Sequence, residues 1–261
     1  MSKQTTQRLT IAMVKEKLFG DDVSEEWLVE IRQDERAGVQ KLLEQYDRKQ
    51  LKEKELHDAF IQMSRYEEEL YDKGLTLVAG VDEVGRGPIA GPVVASAVML
   101  PQDFYLLGLN DSKQLSEKKR DEFFEIILEQ AITYGIGIVG AAEIDLMNIH
   151  QASLEAMRRA VEQLMVPPEH LLVDAMKIPS VDYPQTAIVK GDAKSISIAA
   201  SSVVAKVTRD RIMKDLAVEF PNYGFDKHMG YGTKEHLDAL KSFGATPYHR
   251  LSFSPVKELI E

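Results

Sequence analysis

No cysteine occurs in the 261 residues, which excludes a disulfide framework and a thiolate metal site and leaves oxygen or imidazole donors for any metal. No apolar run approaches the roughly 20 residues that a membrane-spanning helix requires, and the N-terminus has no apolar core of the secretory kind. A cytoplasmic protein that does not engage membranes is therefore expected. Internal repeats and low-complexity tracts are missing too from Gly74 onward. Basic excess is also lacking: 32 Lys and Arg stand against 42 Asp and Glu, for a net charge of −10. That balance runs against the basic footprint of most nucleic-acid binders, unless some of the acidity gathers where bound divalent cations would reverse the local field.

What is present divides into two compositions. Residues 1–73 are heavily charged and carry apolar residues at helical spacing, as in Trp27, Leu28 and Ile31, then Leu42, Leu43 and Tyr46, then Phe60, Met63 and Tyr66. A small helical N-terminal extension is expected, with Ser24 as a helix start after Val23 and with Gly20 and Gly38 cutting the segment into short helices. It reads as a solvated packing appendage before it reads as a substrate-binding module. From Gly74 to residue 261 strands alternate with helices. Leu75 to Val81 and Val93 to Leu100 read as strands joined by a Gly- and Pro-rich turn, too short and unhelical for a crossover. Tyr134 to Ala141 is a third strand, and Leu171 to Val173 and Thr186 to Val189 are two short ones. Helices are expected from Ser116, where a hydroxyl can cap the stripe of Phe123, Phe124, Ile127 and Leu128, from about Gln151 to Leu164, and from about Ser195 to Val218. The fold class is α/β, a mixed sheet flanked by helices.

The strand ends carry the chemistry. Val78 to Val81 runs into Asp82 and Glu83, Leu171 to Val173 into Asp174, and Ile188 to Gly191 into Asp192. Ligands commonly bind at the C-terminal ends of strands in sheets that carry helices, so these carboxylates are expected to converge. Any one of them alone reads first as a turn or cap residue. Together they would repel one another unless a cation joined them, and hard oxygen donors favour Mg²⁺ or Mn²⁺. Two such ions about 4 Å apart suit phosphodiester cleavage.

Immediately after Asp82 and Glu83 comes Gly85-Arg86-Gly87-Pro88, then Gly91-Pro92. Glycine lets backbone approach a ligand closely, and Arg86 offers a planar donor fork. With these residues in place, Gly80-Val81-Asp82-Glu83-Val84-Gly85-Arg86-Gly87-Pro88 resembles the signature of ribonuclease HII. The resemblance continues through Asn110-Asp111-Ser112-Lys113, Asp174, Gly191-Asp192-Ala193-Lys194-Ser195 and Gly230-Tyr231-Gly232-Thr233, in family order across most of residues 75–250.

The resemblance implies a ribonuclease H-like fold over 74–261 and an acidic quartet of Asp82, Glu83, Asp174 and Asp192 that binds two Mg²⁺ or Mn²⁺ ions. It implies an endonuclease acting on the RNA strand of RNA–DNA hybrids and on DNA with embedded ribonucleotides, leaving 5′-phosphate and 3′-hydroxyl ends, in a monomeric protein. It also makes Gly85, Arg86 and Gly87 readers of the ribose 2′-hydroxyl, the group that separates RNA from DNA, with Tyr231 packing on the following sugar. Without the resemblance, Tyr231 would read as a turn aromatic. Lys113, Lys194 and Ser195 are expected to hold phosphates, the last through the first turn of a helix. Thr186 to His236 holds six Lys and two Arg against four Asp and two Glu, a mild excess in keeping with backbone contact.

His228, His236 and His249 read as surface or structural residues, and the methionines between Met157 and Met165 as core. Ribonuclease HIII is the nearest rival, disfavoured by the helical prefix and the Gly-Arg-Gly turn. A non-catalytic nucleic-acid-binding module conflicts with the complete quartet. A small-molecule phosphatase would have no use for a sugar-reading turn.

Overall fold

The computed structural model describes residues 9–20 and 23–260, so the outermost residues of the expected extension and catalytic region, 1–8 and 261, lie outside the described residues, as do 21 and 22. The chain divides into two compact units, one ending at Ala59 and the other beginning at Phe60.

The first unit is helical. α1 (Ile11–Leu18) starts at Thr10, whose hydroxyl accepts from the Met13 amide at 3.2 Å. α2 (Glu25–Ile31) starts at Ser24, as the sequence predicts, with Ser24 Oγ accepting from the Trp27 amide at 3.3 Å and Glu25 and Glu26 in the electropositive first turn. α3 (Ala37–Met63) is 27 residues long, so Gly38 does not shorten the helices as expected. It sits in the first turn, where a helix breaker has little ladder to disrupt. Val14, Leu18, Ile31, Val39, Leu42 and Leu43 form this unit's core.

The second unit begins with the end of α3 and α4 (Arg65–Tyr71). It continues through β1 (Val78–Val84), β2 (Val93–Met99), α5 (Glu117–Gln130), β3 (Thr133–Val139), α6 (Ala141–Met147) and α7 (Ile149–Glu162). β4 (His170–Asp174), β5 (Gln185–Ile188), α8 (Ile196–Glu219), α9 (Phe225–His228), α10 (Lys234–Phe243) and α11 (Val256–Ile260) complete it. The five strands form one mixed sheet in the order β3-β2-β1-β4-β5. β1, β2 and β3 pair antiparallel, and β4 and β5 join β1 in parallel. This is the expected α/β class, and β1 and β2 form the short antiparallel pair that their linker demanded.

Alternation along β2 sets the two layers. Val93, Ala95, Ala97 and Met99 pack with Ala152, Ala156 and Ala160 of α7, while Val98 packs with Phe123 of α5 and Ala199, Ala200 and Val203 of α8. α6 is unanticipated. Its N-cap is Gly140, without a side-chain cap, and Asn148, at φ 73°, separates it from α7 by accepting from the His150 and Gln151 amides. The third strand therefore stops at Val139 rather than Ala141.

α8 lies against β1 at very short range, because the residues in between are small. Ser201 Oγ donates to the Gly80 carbonyl at 2.7 Å, and Ser96 Oγ donates to the Ser201 carbonyl at 2.8 Å. Both serines satisfy backbone carbonyls across the buried seam. A Cβ on Gly80 would fall 2.1 Å from the Ser197 carbonyl carbon. At the head of α8, Ser195 caps the Ile198 amide at 3.2 Å. The buried Glu67 of α4 accepts there from Ser195 Oγ at 2.5 Å, Ser197 Oγ at 2.6 Å and the Ser197 amide at 3.1 Å.

Replacing Gly80 with Ala must move backbone rather than a flexible side chain, so it is expected to destabilise the protein by about 1–3 kcal/mol or more. Urea unfolding checks this, and a midpoint unchanged from the parent would contradict the close packing described.

Candidate active site

β1 and β4 run parallel with Val81 opposite Val173, which brings the next residues, Asp82 and Asp174, side by side. Glu83 follows on β1. One oxygen from each of Asp82, Glu83 and Asp174 lies within 4.8 Å of the others. The side chains line a cleft of about 340 Å³ together with Gly85, Arg86, Gly87, Lys113 and Tyr231. Asp82 and Glu83 lie inside the strand rather than just beyond it, and Asp174 is the last residue of β4.

Burial raises all three carboxyls above their ordinary range. Asp82 is pushed well up, first by burial and then by the Glu83 and Asp174 charges, against hydrogen bonds from Ser202 and from the Glu83 amide at 2.7 Å. Glu83 rises to about 7, again chiefly through burial, with Arg86 pulling the other way. Asp174 also rises through burial, opposed by the Gly191 amide, which donates to its Oδ1 at 2.7 Å. The nearest partner of Glu83 Oε1 is Arg86 Nη1 at 3.2 Å, while its buried Oε2 has no hydrogen-bond partner. An orphaned buried oxygen among mutually repelling carboxylates is the donor set a hard divalent cation fits.

Asp192 stands outside that trio. β5 ends at Ile188, and Asp192 follows in a single 3₁₀ turn, Gly191–Ala193, entered through Lys190 in the left-handed region. Its Oδ2 lies 3.5 Å from Lys113 Nζ, and its charge reaches Asp174 strongly enough to raise it. Lys113 also lies 3.6 Å from Asp111.

The Gly85-Arg86-Gly87 turn is built as its glycines suggest. Gly85 has φ +96°, and a Cβ there would meet Arg209 Nε at 2.4 Å and the Pro92 carbonyl at 2.6 Å, so no other residue fits. A Cβ on Gly87 would sit 3.4 Å from the Tyr231 ring. Tyr231 itself is 52% exposed. Two of the expected phosphate contacts are placed elsewhere. Lys194 is exposed but donates to the Val189 carbonyl at 2.9 Å and does not line the cleft. Ser195 is fully buried, the Ile198 amide donates to its hydroxyl and the Ser197 amide donates to Glu67, so these first-turn donors are already committed within the protein.

Several residues escaped the sequence reading. Lys206, Ser112, Ser202 and Arg209 also line the cleft. Lys206, Arg209 and Asp210 share one face of α8 at i, i+3 and i+4, a grouping visible in the sequence. Arg209 and Arg250 are both buried and donate to main-chain carbonyls in and beside the turn: Arg209 to Pro92, Ala90 and, at the end of α9, Met229, and Arg250 to Gly85, Arg86 and Gly91.

The histidines are structural. A carbonyl only accepts, so His236 Nδ1, 2.8 Å from the Tyr231 oxygen, carries a proton; the Thr246 amide donates to His249 Nδ1 at 2.9 Å, so His249 carries its proton on Nε2. His249 Nε2–H then donates to His236 Nε2 at 3.0 Å. This chain of neutral rings fastens the Tyr231 backbone. Burial, then His236, lowers His249 to about 4.

Comparisons with known proteins bear on the family and the fold. The ribonuclease HII family profile matches residues 79–256, and that of the ribonuclease HII N-terminal domain matches 10–71. Ribonuclease HII of Bacillus mycoides (strain KBAB4) is 53% identical over 260 residues, covering 98% of this chain and 99% of its own. Among solved structures, ribonuclease H2 from Pyrococcus horikoshii OT3 superposes with a TM-score of 0.60 at 26% identity, over 70% of this chain and 96% of that one. A Bst-RNase HIII in complex with Mn²⁺ gives 0.55 at 17% identity, over 70% of this chain and 68% of that one, a likeness of fold alone.

Because the unfolded chain protonates His249 near 6.5 and the folded chain only near 4, the unfolded state binds the extra proton between those values. Stability from this group is therefore present above about pH 6.5 and is lost as pH falls toward 4, by at most about 3 kcal/mol. Unfolding curves for the parent and His249→Asn across that range measure the difference; parallel pH profiles would contradict it.

Proposed function

The chain belongs to the ribonuclease HII family and is a metal-dependent ribonuclease H endonuclease, and on that premise we propose that it cleaves the RNA strand of RNA–DNA hybrids and incises duplex DNA on the 5′ side of an embedded ribonucleotide. The observation that carries this reading is the convergence of Asp82, Glu83 and Asp174 beside the Gly85-Arg86-Gly87 turn, which puts cation-binding chemistry next to backbone able to inspect a sugar. Residues 74–261 form the catalytic region in this reading and 1–73 its helical extension, in a cytoplasmic monomer. No helix among the described residues is long and apolar enough to cross a membrane.

Asp82, Glu83 and Asp174, with Asp192 as the fourth carboxylate, would hold two Mg²⁺ or Mn²⁺ ions. When bound, such ions supply an activated water and neutralise the departing oxygen, which accounts for 5′-phosphate and 3′-hydroxyl ends. The chain's own contribution is placement. The parallel β1–β4 register fixes the spacing between Asp82 and Asp174. Arg86 keeps part of the Glu83 charge compensated until a ligand arrives. Gly85, Arg86 and Gly87 present main chain to the ribose at the cut, and the exposed Tyr231 ring lies where it can pack on the next sugar. Lys113 brings a positive charge to the rim and orients Asp192.

A synthetic duplex carrying one ribonucleotide, offered with Mg²⁺ or Mn²⁺ and separately with chelator, tests the reading. Incision 5′ of the ribonucleotide is expected for the parent, with loss on chelation and a fall of roughly a hundredfold or more in Asp82→Asn. Equal cleavage by parent and variant would refute the assigned chemistry. Tight duplex binding without cleavage would instead leave a non-catalytic binding module.

A further inference from the structure

We infer that Arg250 is a positioning residue for ribonucleotide recognition: its buried guanidinium holds the Gly85-Arg86-Gly87 turn in the conformation that reads the sugar. The inference rests on the proposed role of that turn, and it assigns a specificity function to a side chain in the C-terminal segment, far from the acidic strands in sequence.

Arg250 is fully buried. Its Nη2 donates to the Gly85 carbonyl at 2.6 Å and to the Gly91 carbonyl at 2.8 Å, its Nη1 to the Arg86 carbonyl at 3.0 Å, and its Nε to the Gly91 carbonyl at 3.0 Å. One planar fork thus ties together both ends of the loop that runs from Gly85 to Gly91. Its own amide donates to the Ile89 carbonyl at 2.9 Å, and the Gly91 amide donates to the Tyr248 carbonyl at 2.8 Å, so main chain at Arg250 and just before it backs the same loop.

This arrangement is costly unless it specifies something. A buried guanidinium normally pairs with a carboxylate. Here its hydrogen bonds go to uncharged carbonyls, and desolvation together with the nearby Arg209 lowers its affinity for a proton to about 9. Asp145 helps from a distance and spends its own oxygens on the Leu251 amide at 2.8 Å and the Ser252 amide at 2.9 Å, which pins the chain just after Arg250. The Phe253 ring covers the guanidinium face at 5.1 Å. Position and orientation are therefore fixed from every side.

Fastening the Gly85 and Arg86 carbonyls fixes the peptide planes that carry the Arg86 and Gly87 amides, two of the main-chain donors of the turn. A reader made of main chain has no rotamers to adjust, so its selectivity is set by how firmly those planes are held. Arg209 braces the neighbouring carbonyls of Ala90, Pro92 and Met229 but not those of Gly85 or Arg86. A lysine at 250 would keep the charge and lose the fork, since an ammonium is a point donor without planar geometry.

The test compares the parent with Arg250→Lys and Phe253→Leu on a duplex bearing one ribonucleotide and on its all-deoxy counterpart. Calorimetric Mn²⁺ titration and thermal unfolding are run alongside. Arg250→Lys is expected to raise KM about tenfold while kcat stays within about threefold and Mn²⁺ affinity is unchanged. Phe253→Leu, which loosens the guanidinium without removing it, should raise KM by a smaller factor in the same direction. An unchanged KM in Arg250→Lys overturns the inference. So does a parallel fall in kcat and Mn²⁺ affinity, which would make Arg250 a general structural residue. If Arg250→Lys does not fold, an unchanged KM in Phe253→Leu overturns it alone. A parent that does not distinguish the two duplexes would sink the proposed role of the turn itself, whereas a selective parent with an equally selective Arg250→Lys sinks only the role of Arg250.

Discussion

Mutual repulsion among Asp82, Glu83 and Asp174 is the constraint on which the rest of the molecule depends. Water would relieve it in an open site, but here burial raises all three carboxyls and leaves Glu83 Oε2 without a partner. Side chains left free would turn away from one another. They cannot, because Asp82 and Glu83 are part of β1, with neighbours hydrogen-bonded on both edges, and Asp174 closes β4 in parallel register beside them. The stability of the sheet is spent on holding together charges that would otherwise separate, an expense typical of sites prepared for a cation.

The same logic extends outward in shells of main-chain hydrogen bonds. β1 is backed by α8 through Gly80, Ser197 and Ser201. The loop after β1 is gripped by Arg209 from α8 and Arg250 from the C-terminal segment. The backbone at Tyr231 is fixed by the directed chain from Thr246 through His249 and His236. The side chains that do this holding are buried, while those that face the cleft rim, such as Lys113 and Tyr231, remain exposed. Rigid support and accessible reading groups are thus supplied by different residues.

Much of this was legible in one dimension. Apolar runs ending in Asp82, Asp174 and the Gly191-Asp192 turn gave the carboxylates, and Ser24, Ser116 and Ser195 marked helix starts that the structure keeps. α6 was hidden because its cap is a glycine and its satisfaction comes from Glu143 reaching back to the Gly140 amide at 3.1 Å. The helix head at Ser195 promised amides for an anion, but a sequence cannot show that Glu67, 128 residues before Ser195, already accepts from its hydroxyl and from the Ser197 amide. The arginines were out of reach for a deeper reason. Their acceptors are carbonyls, which every residue possesses, so no side-chain pattern foretells that Arg250 meets Gly85 across 165 positions.

The Glu67 carboxylate has one more consequence. By seating its Oε1 against the Ser197 amide and the Ser195 and Ser197 hydroxyls, this carboxyl, whose pKa burial raises, fills from within the molecule the acceptor place that such a helix end would otherwise offer a passing nucleotide strand. The strand's phosphates find that berth already taken. Traction on the polyanion then falls to flexible cationic side chains, whose grip fades as counterions accumulate, so the enzyme's hold on its duplex should be tunable by ionic strength while the shape of its acidic pocket is not.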